Sequence, residues 1–572
     1  MDYVTPSGFR DVLFDEATRR EEIQRAVQLR FAELGYTPIE TPTLEVMDVM
    51  QAGGRIQASP FKFFDAQGGD LLAMRPDVTV QVARMCATRL ANVEGPLRFR
   101  YTHRVFREAD GTLQATAREV KQIGVEYVGE SGVEADAEVV GLLADALAIA
   151  GVSDYTMAVA TVSPVRALLR ASGAPTWWKD RVLDALHSSD LVELDRLTCD
   201  KGLREVVAEA GRGIEADSLS EVCPPVFATA IRALPRVRGG RQAISEARAL
   251  VEPLGCAEGL DGLEEVYDRL LAGGMEGRLI VDFSVMSSFD YYTGLVFEAY
   301  SPYVGTPLGS GGRYDKLIGA FGADRPAAGC AFYLEQAMAA AAATELADSG
   351  KAVSAADRPL RIAVPKGSLN EGAIKVLSDA GLDTSGLENP GRQLIIHNPG
   401  VDYIIVRPTD APAFVAHGAA DCGICGRDSI LEADPDVVQL VDLRFGGCRF
   451  VVAEPAGAAE ATAEHYKRLG SIRVASKYPR ITRAHYAKTG TQVEIVKLHG
   501  NIELAPLTGM AERIVDITAT GTTLRENNLV VVEDVLSSTA RFFGNVCAFR
   551  TDARIEKLAV RLSENAQAAD SE

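Results

Sequence analysis

The chain has 572 residues, more than one hydrophobic core usually organises, so two to four domains are expected and a single small module is excluded. Its 47% hydrophobic and 24% charged content is that of a globular protein, and no apolar run is long enough to cross a bilayer, which argues against an integral membrane protein. A formal net charge of -20 opposes a nonspecific grip on nucleic-acid phosphates, because Lys and Arg supply that attraction by displacing counterions.

The opening MDYVTPSGFRDV has none of the regions of a secretory signal, so a cytoplasmic location with reduced thiols is expected. FRDVLFDEATRREEIQRAVQLRFAELGY has apolar residues at helical spacing and ends at Gly35, whereas RFRYTHRVFRE and QIGVEYVGE read as strands. Helices flanking an antiparallel sheet are the simplest arrangement for this part. From about 151 to 275 the chain is richer in helix and reads as inserted or appended. Between 338 and 358 an Ala-rich helix end passes into small and polar residues, which divides the chain into 1–340, a linker at 341–357, and 358–572. LRIAVPKGSLNEGAIKVLSDAGL then gives strand, glycine turn and amphipathic helix, the start of an α/β domain. Cys422 and Cys425 form a lone CxxC within AADCGICGRD; with no second pair at zinc-site spacing, the segment reads as a buried strand and turn.

Three separated motifs carry chemistry in the first half. In Met74-Arg75-Pro76-Asp77-Val78-Thr79 a carboxylate and a hydroxyl stand two residues apart; on a strand both would face one side and could grip an ammonium group. FRE at Phe106 to Glu108 is followed by REVKQIGVE from Arg118 to Glu126. SSFDYYTGLVFEAY, from Ser287 to Tyr300, precedes LGSGGRYDKLIGAFG; its glycines permit close backbone approach and its tyrosines offer flat walls suited to an imidazole.

Together, and in this order, these motifs resemble the core of histidyl-tRNA synthetases, class II aminoacyl-tRNA synthetases with an α+β fold of antiparallel sheet and helices. The resemblance implies that Asp77, Thr79, Gln122, Glu126, Tyr291 and Tyr292 contact free histidine, with Arg107 near its carboxylate. Three departures accompany it. Ser287 stands where the family carries an activating arginine, Ala109 where a glutamate is expected after Arg107, and Gln336 where an ATP-binding arginine follows the acidic residue. A serine hydroxyl cannot replace a guanidinium at a reacting carboxylate and phosphate, so adenylation is expected to be lost and the histidine pocket kept. No anticodon-binding domain follows. Such a body resembles the regulatory subunit of ATP phosphoribosyltransferase.

In the second half, AERIVDITATGTTLREN has an apolar strand expected to end at Asp516, then a turn through Thr518, Ala519, Thr520, Gly521, Thr522 and Thr523. Small hydroxyl residues around a glycine let backbone amides form an anion-binding concavity, and the strand-end carboxylate can hold ribose hydroxyls. With KGSL at Lys366, the step Arg407 to Asp410, HGAADCGICGRD from His417, RFGGCRFVVA from Arg444, ASKYPRIT from Ala475 and KLHGNIELAP from Lys497, the order resembles that of short-form ATP phosphoribosyltransferase. Ser368 departs from it where an arginine commonly follows Lys-Gly.

This resemblance implies two α/β lobes like those of type II periplasmic binding proteins. It also implies transfer of a phosphoribosyl group from phosphoribosyl pyrophosphate to N1 of the adenine of ATP, with Mg2+ and feedback by histidine. Thr520, Gly521, Thr522 and Thr523 are expected at the 5-phosphate, Asp516 and Glu503 at the sugar, Lys366 near pyrophosphate or triphosphate, and Arg392, Arg407, Arg449 and Lys477 at the polyphosphates. Asp421 and Asp428 would orient substrate or cap turns. No protein metal-ligand set is assigned, and a homodimer or homotetramer is expected. The rival readings are a histidyl-tRNA synthetase with an unusual tail and a non-catalytic solute-binding protein.

Overall fold

A computed structural model describes the chain apart from residues 1–3, 55–59, 109–116, 211–217, 286–289, 350–352, 354–356, 519–520 and 572, and apart from the side chains of 208–210 and 569–571. The described residues fall into two compact units. The first comprises Met1–Val206, Glu215–Arg358 and Asn545–Ala553; the second comprises Val207–Ile214, Pro359–Gly544 and Arg554–Glu572.

The first unit is organised by a nine-stranded sheet. Its longest pairing is the antiparallel one of Leu97–Phe106 with Glu119–Val128, in register from Leu97 opposite Val128 to Phe106 opposite Glu119. Phe99, Tyr101, His103 and Val105 are buried while Arg98, Arg100 and Arg104 are less so, the period of two that sets a strand's face. Next come Ala327–Tyr333, Gly309–Arg313, Leu295–Tyr300 and Thr156–Thr161, all antiparallel. Parallel pairing occurs where Thr37–Pro38 joins Leu97–Phe106 and where Leu279–Asp282 joins Thr156–Thr161. The helix Phe14–Glu33 buries Ile23, Val27 and Phe31, one stripe at four-residue spacing.

The segment from 151 is not wholly an addition. Its strand Thr156–Thr161 lies inside the main sheet, paired along its whole length with Leu295–Tyr300, because Met157 to Ala160 are small or apolar residues buried on both faces. The helices that follow, among them Ser163–Ala171 and Thr176–His187, account for the helical character read there.

The second unit contains two mixed sheets, the two-lobed α/β arrangement expected. One has six strands, in the order Ile395–Asn398, Val401–Val406, Leu360–Pro365, Cys422–Gly426, Ala540–Asn545, Val437–Asp442. The other has five, in the order Val493–Lys497, Ile472–Ser476, Arg513–Thr518, Cys448–Pro455, Leu529–Ser538. In the five-stranded sheet Phe450, Val452, Val474 and Val515 join one apolar cluster and Val451, Ala453, Ala475 and Ile514 another, so both faces are covered and the strands read as continuous apolar runs. Cys422 and Cys425 are buried in their strand as free thiols. Among the described residues no helix is long and apolar enough to cross a membrane.

Candidate functional sites

In the first unit, Gln122 and Glu126 alternate with buried neighbours along Glu119–Val128, and both side chains are 1% exposed. The strand Leu71–Met74 ends before Asp77, and Thr79 opens the helix Thr79–Thr88. The carboxylate and hydroxyl therefore do not share a strand face, as the sequence suggested; Pro76 and the helix start bend the chain so that both join one buried side-chain cluster at a helix N-terminus. Thr79 Oγ1 donates to Glu126 Oε1 at 2.8 Å, and Tyr291 OH donates to Asp77 Oδ2 at 3.2 Å. The Tyr291 and Tyr292 rings lie 4.8 Å apart at 52°. Arg107 acts electrostatically on Asp77. Hydrogen bonds, ring contact and electrostatics thus link six of the seven residues expected at histidine, while Gln122 lies on the same sheet face as Glu126, four residues along one strand.

Two residues of this pocket were not singled out. Tyr314 OH donates to Glu126 Oε2, and its ring lies 5.9 Å from that of Tyr291. Tyr101 also hydrogen-bonds Glu126. Tyr314 lies within LGSGGRYDKL, where the glycines are the stronger local signal, and Tyr101 alternates inward in a strand pattern that looks like ordinary core.

The electrostatics are those of a desolvated interior. Burial raises the Asp77 carboxyl above the usual range, against hydrogen bonds from Thr79, Tyr291 and Val78 that favour its charge. Burial lifts Glu126 to about 8, partly offset by Tyr314 and Thr79 and reinforced by Asp77. Two buried polar atoms, Gln122 Oε1 and Arg107 Nε, have no hydrogen-bond partner. An acceptor and a cationic donor left unmade inside a protein are costly, and both would be satisfied by a ligand carrying N–H groups and a carboxylate. Gly329 faces Glu126 across paired strands, and a Cβ there would overlap the carboxylate. Asp290, just before the tyrosines, is held by Arg166, whose Nη2 donates to its carbonyl oxygen at 2.7 Å and lies 3.6 Å from its carboxylate. Ser287 and Ala109 lie outside the described residues; Gln336 sits in the helix Leu334–Asp348 with its Oε1 buried and unbonded.

In the second unit Lys366, Arg407 and Lys477 stand just after the carboxyl ends of parallel strands, the part of an open α/β sheet that binds ligands. Leu360–Pro365 and Val401–Val406 run parallel with Pro365 opposite Val406, so Lys366 and Arg407 emerge side by side; Lys366 N–H donates to Val406 O at 2.8 Å. On the other sheet Ile472–Ser476 and Arg513–Thr518 run parallel with Ser476 opposite Val515, which sets Lys477 beside Asp516. Asp516 is not at the end of its strand, as the sequence suggested: pairing with Cys448–Pro455 continues through Ile517 and Thr518, while pairing with Ile472–Ser476 stops at Val515. Burial raises Asp516 to about 6, with Glu503 raising it further and Lys477 lowering it. Glu503, immediately before the short helix Leu504–Leu507, therefore shares the electrostatic site of Asp516.

The loop after Asp516 is turned by Gly521, at φ 71, whose N–H donates to Thr518 Oγ1 at 2.8 Å. Thr522 and Thr523 are exposed at the start of Thr522–Glu526; Thr520 lies outside the described residues. Arg525, not singled out from sequence, donates from Nη2 to Thr522 Oγ1 at 3.1 Å and adds a cation to this loop. Lys366, Arg392, Arg407 and Lys477 are exposed. Arg449 is ion-paired with Asp534 of the neighbouring strand at 3.1 Å, with both side chains more than half exposed. Asp421 is buried against Arg361, and Asp428 accepts from Ser538 at 2.8 Å, so both anchor the fold.

Comparison with known proteins divides along the same lines. The histidyl-tRNA synthetase family matches residues 8–337 and the ATP phosphoribosyltransferase family matches residues 407–564. The chain is 48% identical over 193 residues to the ATP phosphoribosyltransferase of Rubrobacter xylanophilus, a match covering 34% of this chain and 89% of that protein. It is 35% identical over 337 residues to the ATP phosphoribosyltransferase regulatory subunit of Moorella thermoacetica, covering 59% of this chain and 81% of that one. A solved structure from Bacillus halodurans, described as an ATP phosphoribosyltransferase regulatory subunit/histidyl-tRNA synthetase, is similar with TM-score 0.51 and 27% identity, covering 71% of this chain and 99% of its own. A relative of the catalytic enzyme and a relative of its regulatory subunit thus match successive parts of one polypeptide, and the chain belongs to the ATP phosphoribosyltransferase family, with a histidyl-tRNA synthetase-like regulatory domain preceding the catalytic one.

Proposed function

We propose that residues 358–572 transfer a phosphoribosyl group from phosphoribosyl pyrophosphate to N1 of the adenine of ATP, and that histidine bound by residues 1–340 biases that reaction. The reaction would begin histidine biosynthesis in the cytoplasm, with the chain assembled as a homodimer or homotetramer. The adenine N1 lone pair forms the new bond to the anomeric carbon as the bond from that carbon to pyrophosphate breaks; no covalent enzyme intermediate is needed. The chain's task is alignment and charge placement. Asp516 and Glu503 hold the ribose hydroxyls, Thr520, Gly521, Thr522 and Thr523 the 5-phosphate, and Lys366 the departing pyrophosphate. Arg392, Arg407, Arg449 and Lys477 serve the polyphosphates, with Arg449 first leaving Asp534.

The residues present fit Mg2+. Asp516 and Glu503 repel one another's charge in a desolvated edge, and no cluster of three or more side-chain ligands occurs among the described residues. That is the regime in which one or two carboxylates and substrate phosphates complete the shell. When bound, the ion would neutralise charge on the leaving pyrophosphate.

The observation that carries the histidine assignment is the buried tyrosine-walled cluster in which Glu126 rises to about 8 while Gln122 Oε1 and Arg107 Nε lack partners. A cationic imidazole or ammonium offsets the buried carboxyls, and a carboxylate answers Arg107. The test is a spectrophotometric turnover assay with ATP and phosphoribosyl pyrophosphate, with and without histidine. Transfer inhibited by histidine is expected. Histidine-dependent pyrophosphate exchange without phosphoribosyl transfer would establish the synthetase instead.

A further inference from the structure

Within the second unit the chain passes from the six-stranded sheet to the five-stranded one after Val437–Asp442 and returns between Leu529–Ser538 and Ala540–Asn545. A side chain adds a further tie between the two. Glu432 belongs to the helix Arg427–Ala433, which follows Cys422–Gly426 of the six-stranded sheet. Its carboxylate reaches the start of the helix Pro479–Thr489, which follows Ile472–Ser476 of the five-stranded sheet. The Arg480 N–H donates to both Glu432 oxygens at 3.1 Å, and the Ile481 N–H donates to Oε2 at 3.1 Å.

The local sequence explains why this cap comes from another element. Pro479 opens the helix without an N–H of its own, and Tyr478 before it makes no side-chain cap, where Ser, Thr, Asp or Asn would ordinarily serve. The first amides left to satisfy are those of Arg480 and Ile481, at the positive end of the helix dipole, and one carboxylate answers both. Burial raises the Glu432 carboxyl above its usual range, while the two amides, Lys497 and Arg480 favour its charge.

Lys477 stands just before this capped turn. On its other side Ser476 Oγ donates to Val515 O at 2.7 Å and accepts from the Tyr478 N–H at 2.9 Å. The turn Ser476-Lys477-Tyr478 is therefore pinned at one end to the strand that carries Asp516 and at the other to Glu432. Lys477 is exposed, with Nζ 5.7 Å from the Tyr478 ring centre, and acts electrostatically on Asp516. Tyr478 is buried edge-on against Phe450, where Asp428 of the Glu432 helix and Asp516 both act on it. A lysine ammonium rides on a flexible four-carbon stem, so the backbone it hangs from decides where it can reach.

We propose that Glu432 is a positioning residue for phosphoribosyl transfer: by capping Pro479–Thr489 from a helix of the other sheet, it holds the backbone of Lys477 beside Asp516 and so aims the ammonium at the substrate polyphosphate. The proposal deepens the catalytic reading above and rests on it. Glu432 touches no substrate, and its effect passes through Lys477.

The test is a double-mutant cycle in the full chain, with turnover of ATP and phosphoribosyl pyrophosphate measured for Glu432→Ala, Lys477→Ala and the pair. Misplacing a catalytic group by about 1 Å can cost a hundredfold, so Glu432→Ala is expected to lower kcat/KM by about 10- to 100-fold. It should divide that loss between KM and kcat as Lys477→Ala does. Because both changes remove one interaction, the pair should fall within about twofold of Lys477→Ala alone. Glu432→Gln, which keeps an acceptor of the same reach, should recover part of the loss. Asp434→Asn, which weakens the exposed 2.5 Å pair with Arg480 between the same two helices and leaves the cap in place, should stay within about twofold of the unaltered chain. Unchanged kcat/KM in Glu432→Ala, unchanged kcat/KM in Lys477→Ala, or losses that multiply in the pair would each overturn the proposal. If Glu432→Ala fails to fold, the same cycle with Glu432→Gln decides by the same outcomes. Absence of phosphoribosyl transfer in the unaltered chain would overturn the catalytic reading itself and this proposal with it, a result distinct from the others.

Discussion

The two candidate sites use charge in opposite ways. In the first unit the ionisable groups are interior: Asp77 and Glu126 are nearly inaccessible, walled by tyrosines, and shifted upward by burial. In the second unit Lys366, Arg392, Arg407 and Lys477 stand exposed at strand ends and turns, and only Asp516 is held partly dry. A buried pocket of fixed shape discriminates a small ligand by leaving its own polar atoms unpaired when the ligand is wrong. An exposed cationic edge attracts polyanions and gains strength as substrate displaces water. The contrast suits a receptor on one side and a site for highly charged substrates on the other.

The largest expected effect tests the independence of the two. Asp516→Asn combined with Thr522→Ala should lower phosphoribosyl transfer by at least about a thousandfold, of the order seen when positioned catalytic interactions are removed together, while calorimetric histidine affinity stays within twofold. Near-normal turnover would remove the active-site assignment. Next in size, Asp77→Asn with Tyr291→Phe should weaken histidine inhibition by about fiftyfold or more with turnover unchanged, since it deletes a buried charged contact and its hydrogen bond. Unaltered inhibition in a folded variant would reject this pocket.

A smaller and more specific effect concerns protons. With Glu126 at about 8, the empty pocket at pH 7 holds a protonated carboxyl, and a cationic ligand should expel that proton. Histidine affinity should therefore rise with pH up to about 8, and calorimetry in buffers of different ionisation enthalpy should detect a release approaching one proton. Glu126→Gln should abolish the release. The stability sign follows from the same raised value: the ligand-free fold is favoured below the ordinary glutamate range and loses that contribution as pH climbs through about 8. Histidine should then stabilise the protein against heat more at pH 8 than at pH 6. The smallest effect is expected from Arg449→Ala, whose exposed pair with Asp534 is worth only about 0–1 kcal/mol; its melting temperature should scarcely change, so a rise in KM would report on substrate alone.

Much of this was legible in the amino acids because the informative signals are local. The strand alternation of RFRYTHRVF, the glycine turn after Asp516 and the order of motifs identify both domains before any coordinates. What was hidden depends on chain path. Asp77 and Thr79 could be seen to matter, but not that Pro76 and a helix start bring them together. Tyr101 and Tyr314 differ in no local respect from core tyrosines until Glu126 lies between them. Asp516 reads as a strand end because one neighbour stops pairing there; the other neighbour, invisible in a linear pattern, continues. The segment after Asn545 offers no boundary signal, since its burial depends on residues some 260 positions earlier.

The absence of a side chain at Gly329 has its own consequence. The Glu126 carboxylate occupies the space where a methyl at 329 would stand, against the sheet. Gly329→Ala would force the carboxylate out of that space and disturb its hydrogen bonds with Tyr314 and Thr79 while leaving every other residue type of the cluster unchanged. The reach of this buried charge is thus gauged by a residue with nothing to contribute but emptiness, and altering that floor alone would reset it.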